Sequence, residues 1–298
     1  MAYLTFLFVR GFIDLFRWVP FGVLYRLSDG LAFLLEKVVK YRKTVVMDNI
    51  ERCFPEISAA EKARMMRLSY RNLADIVMES LKGATVPLDD LLLRYRYINP
   101  ELVNDVLASG RSVILTAAHY NNWEWGVLTI AQRMIGPTIG VYKPMSNHWL
   151  DQWFKQNRAR GGKMILKSVK ETFRAVEEYK NTPSMFILVA DQAPSNRKTA
   201  IPAWFFKQPT ACLPGVETIA CTHNHAVIML EIQRVSRGNY ELSFSEVCME
   251  PTQTAPGEVT QMLMNRFEAI IRKAPENWLW SHKRWKWIPD MSRQDSSS

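Results

Sequence analysis

The residues best placed by type to do chemistry are His119 and Glu124, five positions apart in Thr116-Ala117-Ala118-His119-Tyr120-Asn121-Asn122-Trp123-Glu124. An imidazole beside an ionised carboxylate is the pairing that fixes a histidine tautomer and raises its basicity, as a proton-abstracting base requires. On a continuous helix, residues five apart point about 140° away from each other. The two can converge only if His119 lies in a loop and Glu124 in the first turn of the helix after it. The sequence permits that arrangement. An apolar run of strand type, Ser112 to Ala117, ends just before the histidine, and Asn121 or Asn122 is suited to cap the helix. A carboxylate in a first helical turn is favoured by the helix dipole. Asn121-x-x-Glu124 also has the form of a capping box, so a purely structural role for Glu124 stays open. No serine or cysteine nucleophile is needed if an acceptor alcohol is the attacking group.

The elements that must carry this pair follow from patterning. Ser58-x-x-Glu61 opens a helix running to about Lys82. Glu101 to Ala108 reads as a short helix, Asn122 to Ile135 as another, and Asn147 to Arg160 as a third ending in Gly161-Gly162. A fourth opens at Ser168-x-x-Glu171 and reaches Tyr179, and Val259 to Lys273 forms the last. Strands are expected at Ser112–Ala117, Thr138–Tyr142 and Met185–Ala190. Val227–Val235 and Tyr240–Val247 form an antiparallel pair turning at Arg237-Gly238-Asn239. Pro87 to Tyr97 is a connector of mixed character. Strands alternating with helices predict an α/β fold with a mixed, mainly parallel sheet covered on both faces. In such sheets the site lies beyond the carboxyl ends of the strands. Ala190-Asp191-Gln192-Ala193-Pro194 stands at a second strand end, so Asp191 joins the candidates. It is suited to hold an arginine or a head group, or to cap a turn.

The chain has 298 residues, enough for one large α/β domain. A net charge of +9 points to an anionic partner, and ten Trp, ten Tyr and fourteen Phe favour a lipid surface. Cys53, Cys212, Cys221 and Cys248 form no C-x-x-C pair, which fits a reducing compartment. Residues 1–43 are set apart from an enzymatic body of 44–298. Tyr3 to Trp18 is apolar except for Arg10, Asp14 and Arg17, which share one helical face, and Pro20 ends the helix. A helix of that length spans about 24 Å, less than the hydrocarbon core of about 30 Å, so an amphipathic helix lying in the membrane interface is expected. Leu31 to Val39 continues the apolar character into Lys37, Lys40, Arg42 and Lys43, a cluster suited to anionic head groups. Ser296 to Ser298 reads as a frayed end.

His119-x-x-x-x-Glu124 resembles the H-x4-D/E motif of glycerolipid and lipid A acyltransferases, and the fuller pattern narrows it. Tyr142-Lys143-Pro144, Arg158-x-Arg160-Gly161, Asp191-Gln192, Phe205-Phe206-Lys207-Gln208-Pro209-Thr210-Ala211, Leu213-Pro214-Gly215 and Pro275 to Lys286 are similar, in order, to blocks of the lipid A biosynthesis (late lauroyl and myristoyl) acyltransferases. The chain departs from that family at Asn121, Lys207 and Val216, the first two commonly glycine.

The resemblance implies transfer of a fatty acyl chain from an acyl-thioester, acyl carrier protein or acyl-CoA, to a hydroxyl of a lipid A precursor or related membrane lipid. It makes His119 the base and Glu124 its orienting group, with Asn122, Lys143, Arg158, Arg160, Asp191 and Gln192 toward substrate. Arg158, Arg160 and Lys143 suit phosphate groups, or are solvated helix-end and loop cations. No cofactor, metal or nucleic acid is implied. The expected location is the cytoplasmic face of a bacterial inner membrane, monotopic or peripheral. Two alternatives are a related enzyme with a glycerophospholipid, ornithine-lipid or glycolipid acceptor, and a non-catalytic protein binding anionic membranes. His148, His223, His225 and His282 are given structural or surface roles.

Overall fold

Seven strands form one sheet in the order β1-β9-β8-β2-β5-β3-β4 in a computed structural model that describes residues 1–289 and Met291. Ser296 to Ser298 lie outside the described residues. The strands are β1 (Tyr95–Tyr97), β2 (Val113–Ala117), β3 (Thr138–Tyr142), β4 (Met164–Ser168), β5 (Met185–Val189), β8 (Ala226–Ser236) and β9 (Asn239–Cys248), with β6 (Ile201–Phe205) and β7 (Gln208–Cys212) forming a separate hairpin. Only β8 and β9 pair antiparallel within the large sheet; every other neighbouring pair is parallel. The mixed, mainly parallel α/β sheet expected from the sequence is the architecture observed.

The helices are α1 (Ala2–Leu15), α2 (Phe21–Phe33), α3 (Lys43–Cys53), α4 (Ala59–Gly83), α5 (Leu88–Arg94), α6 (Glu101–Ala108), α7 (Trp123–Thr129), α8 (His148–Arg158), α9 (Thr172–Glu178), α10 (Gly215–His223) and α11 (Glu258–Lys273). They cover both faces of the sheet, and alternation along the strands explains why both can be covered. In β2, Ile114 packs into one apolar core with Ile139, Phe186 and Val227. Its neighbours Val113 and Leu115 pack into a second core with Met185, Ile228 and Leu230. Successive side chains of a strand point to opposite faces, so a strand apolar at every position is what a sheet buried on both sides requires. Each such side chain, removed from water, contributes about 1.5–3 kcal/mol.

Ser58 and Glu61 form the reciprocal capping box that starts α4. Ser168 and Glu171 also bond to each other, but at the end of β4, and α9 starts only at Thr172. β4 itself follows Gly161-Gly162 as an edge strand, where Lys167 and Ser168 break the apolar pattern that marks the central strands. The β6–β7 hairpin turns on Phe206 and Lys207, both with φ in the left-handed region (52° and 56°). Lys207 thus stands at a position where glycine carries no steric cost.

The N-terminal stretch is α1, a 3₁₀ turn at Phe16–Trp18 and α2 after Pro20. One stripe of α1 packs inward through Phe6 and Ile13, while Leu4, Phe8 and Leu15 are 68%, 77% and 62% exposed. Tyr3 and Phe6 meet the Trp149 ring of α8, and Ser28 of α2 donates to Asp75 of α4 at 2.6 Å. Among the described residues no helix is long and apolar enough to cross a membrane. All four cysteines are free thiols, with Cys53, Cys212 and Cys248 buried.

Candidate active site

The parallel pairing of β2 with β5 brings the chemistry together. Ala117 is in register with Val189, so the chain two residues beyond each strand end reaches the same level, with His119 on one side and Asp191 on the other. The Asp191 carboxylate is buried and takes three bonds. His119 Nδ1–H donates to Oδ1 at 2.7 Å, the His119 backbone N–H to Oδ2 at 3.0 Å, and Trp278 Nε1–H to Oδ2 at 2.8 Å. Because the carboxylate accepts a hydrogen bond from Nδ1–H, the ring proton is held there and Nε2 is left bare and basic. The Gln192 amide approaches that nitrogen at 3.4 Å.

Burial opposes a charged ring at His119, but the charge and hydrogen bond of Asp191, and then the charge of Glu124, outweigh it and raise the imidazole pKa above 6.5. Burial likewise opposes ionisation of Asp191. The charge of His119, its two hydrogen bonds and that of Trp278 overcome this, and the carboxyl stays below its ordinary value of 3.8.

The turn after His119 has the form its spacing demands. Asn121 is left-handed (φ 53°), a conformation that asparagine tolerates better than most residues. Its backbone N–H donates to Asn277 O and its side chain to Ile232 O. Asn122 is the N-cap of α7, its Oδ1 accepting from Trp125 N–H at 3.0 Å. Glu124 therefore sits in the first turn, as expected, but it does not serve as the cap.

Nor is Glu124 a hydrogen-bond partner of His119. Both its oxygens accept from Arg158 Nη2, at 2.9 and 3.1 Å. The sequence paired the histidine with the nearer carboxylate in the chain; the Nδ1 bond goes to Asp191, 72 residues away. Two further assignments change. Asn122 is fully buried, with its Nδ2–H donating to Glu79 at 2.7 Å, so neither end of its amide faces a substrate. Arg160 donates to the backbone oxygens of Gly83 and Ala84 at 2.9 and 3.0 Å, closing the C-terminal end of α4 where the helix dipole favours a cation. Lys143, Arg158 and Gln192 do reach a common space.

That space is a cavity of about 720 Å³. Its lining combines charged and polar groups, among them Arg42, Glu124, Lys143, Asp151, Arg158 and Gln192, with an apolar wall of Ile13, Leu73, Ile76, Leu81, Leu128 and Phe154, and His119 lies beside it behind Gln192. The wall joins α1, α4, α7 and α8. A cavity lined by both ionic groups and aliphatic and aromatic side chains fits a ligand that is itself a head group on an aliphatic chain.

Two groups that patterning did not single out hold the site. Glu79 of α4 is fully buried and accepts from Tyr25, Asn122 and Tyr240. The strand-like segment at Trp278 runs beside the loop that carries His119: Leu279 N–H donates to His119 O at 3.0 Å. A glutamate on a helix that otherwise buries its apolar face was the one available signal for the first. The cluster of tryptophans after Pro275 was the signal for the second. Trp278 and Trp280 are buried.

Comparison with known proteins matches residues 1–287 to the family of bacterial lipid A biosynthesis acyltransferases. The chain belongs to this family and is an acyltransferase. It is 29% identical to the lipid A biosynthesis lauroyltransferase of Escherichia coli K12 over 94% of this chain and 90% of that one. The lipid A biosynthesis palmitoleoyltransferase of the same strain is 21% identical, covering 95% of this chain and 91% of its own. A lipid A biosynthesis acyltransferase of Haemophilus influenzae is 25% identical, covering 91% and 87%. Enzymes of this family are associated with the inner membrane, and family membership implies a membrane lipid acceptor and an acyl donor.

Proposed function

We propose that this enzyme moves a fatty acyl chain from an acyl-thioester, carried by acyl carrier protein, to a hydroxyl of a lipid A precursor, with His119 as general base. The observation that carries the reading is the 2.7 Å bond from His119 Nδ1 to Asp191, made beside a cavity lined by both ionic and apolar side chains.

In this mechanism the acceptor hydroxyl binds where Gln192 now approaches Nε2. Nε2 takes the hydroxyl proton as the oxygen attacks the thioester carbonyl, and the carbonyl electrons move onto oxygen. The tetrahedral intermediate collapses by breaking the C–S bond, and the leaving thiolate takes the proton back from the imidazolium. Asp191 orients the ring and balances its transient charge. Glu124, bridged to Arg158, is a second carboxylate whose field adds to the ring's basicity. Arg158 and Lys143 face phosphate or head-group oxygens. The aliphatic chain lies against Ile13, Ile76 and Phe154. The +9 charge suits an acidic carrier protein and an anionic membrane.

Residues 1–43 act as the membrane-contacting segment, with the exposed stripe of α1 buried in the cytoplasmic leaflet interface. Because Ile13 of the same helix lines the cavity, a lipid entering from the bilayer meets the apolar wall directly.

The test is transfer of labelled acyl groups from acyl carrier protein, and in parallel from coenzyme A, to extracted lipid A precursor. His119→Ala is expected to abolish transfer while keeping the wild-type unfolding temperature and membrane binding. Turnover at the wild-type rate by that variant would falsify the base assignment.

A further inference from the structure

The oxyanion formed in the reaction proposed above needs a donor, and His282, the histidine that lines the cavity, is arranged as one. His282 follows the segment Trp278–Leu279 that runs against the loop that carries His119, and it lines the same cavity as Glu124 and Gln192. Its Nε2 lies 3.0 Å from the backbone N–H of Ala193. A peptide N–H can only donate, so Nε2 must be unprotonated there, and a neutral ring then carries its proton on Nδ1. Among the described residues Nδ1–H has no partner in the protein.

Gln192 connects this imidazole to the other. Its side chain reaches His119 Nε2 at 3.4 Å, while the N–H of the next residue fixes His282. Burial in company with Arg284, His119 and Arg42 holds the His282 pKa down at about 4 against the pull of Asp191, so the ring stays a neutral donor wherever His119 is a working base. Its backbone is fixed independently of the ring. The His282 carbonyl accepts from Asn49 Nδ2 at 2.8 Å and from Arg284 N–H at 2.9 Å. A donor held in place before the charge appears is what makes such stabilisation effective.

We propose that His282 is a catalytic residue, its Nδ1–H donating to the oxyanion of the tetrahedral intermediate while His119 holds the proton taken from the acceptor hydroxyl. The inference rests on the His119 reading, and the experiment separates the two.

For His282→Ala, acyl transfer from acyl carrier protein is expected to lose about 10²-fold in kcat with KM for the donor within about threefold of wild type. His282→Gln, whose amide has both an acceptor for Ala193 N–H and a donor, should recover part of that loss. Two donor analogues sharpen the result. A thioether in place of the thioester mimics the ground state and should bind wild type and variants equally. A trifluoromethyl ketone, which adds a hydroxyl to give a tetrahedral oxyanion, should lose about 10²-fold in affinity for His282→Ala. Wild-type kcat in His282→Ala, or an equal loss of affinity for both analogues, overturns the proposal. If His282→Ala does not fold, the same two analogues are compared on His282→Gln, with an unchanged ratio of affinities overturning it. Full turnover in His119→Ala sinks the base reading whatever His282 does; loss in His119→Ala with full turnover in His282→Ala sinks this inference alone.

Discussion

Two buried carboxylates lie under the loop that carries His119, and their environments drive them in opposite directions. Asp191 faces an ionisable partner, His119, and its pKa is lowered although burial opposes ionisation. Glu79 is buried as deeply, but its direct partners are the neutral hydroxyls of Tyr25 and Tyr240 and the amide of Asn122. Burial dominates there, and these hydrogen bonds together with the nearby Arg234 do not offset it, so its pKa is raised. Burial alone therefore does not separate a working carboxylate from a scaffolding one; the charge state of the partner does. In the proposed mechanism Asp191 polarises a base, whereas Glu79 ties α2, α4, β9 and the cap of α7 to one point.

The largest effect that would break this comparison is expected at Asp191. Asp191→Asn keeps an acceptor in place but removes the charge that sets the tautomer, and kcat should fall about 10⁴-fold with the fold intact by circular dichroism. A loss below tenfold would mean that Asp191 is scaffolding like Glu79.

Truncating Glu79 should act on stability instead. Glu79→Ala leaves the buried donors of Asn122 and Tyr240 and the half-buried hydroxyl of Tyr25 without an acceptor, and is expected to cost about 3 kcal/mol or more in urea unfolding. Glu79→Gln gives the sign of the electrostatics. A folded pKa above the unfolded one means that wild type loses stability as pH rises from the unfolded value toward the folded value. The glutamine variant should therefore gain on wild type across that window. A difference that stays constant with pH would contradict a raised Glu79.

pH dependence sharpens the other half. His119 feels the charges of Asp191 and Glu124, and its net pKa lies above 6.5, so kcat/KM should fall as pH drops through that raised value and the base is protonated. The ring's contribution to stability runs the other way, full below its unfolded pKa and lost as pH rises through the folded one. Glu124→Gln should lower the midpoint of the activity profile, since the charge of Glu124 supports the imidazolium less than that of Asp191 does but in the same direction. A midpoint that rises would show that Glu124 acts only through Arg158.

The smallest effect on the folded state is expected far from both carboxylates. Replacing the exposed Leu4 and Phe8 of α1 with Glu should change unfolding free energy by no more than about 0.5 kcal/mol. Co-sedimentation with vesicles of phosphatidylglycerol should nevertheless drop. Unchanged binding would place the membrane contact elsewhere.

The sequence by itself determined the elements and their order, because a strand apolar at every residue, a capping box and a Gly-Pro stop are local statements. Ser58 to Lys82 and Val259 to Lys273 were legible as helices to within a residue or two, and β2, β3 and β5 to within one. It also determined that His119 sits in a loop and Glu124 in a first turn. Only the tertiary structure decided which carboxylate the imidazole meets. Asp191 is 72 residues from His119, and nothing in the spacing says that β5 will lie beside β2 rather than beside β4. Tertiary packing also made Trp278 and Trp280 buried supports. It moved Asn122 and Arg160 from the substrate to the scaffold, by bringing the end of α4 against the start of α7. Periodicity records how each segment buries its own face. Which segments share a neighbour is settled by packing between residues far apart in the chain, and His119 and Asp191 are such neighbours.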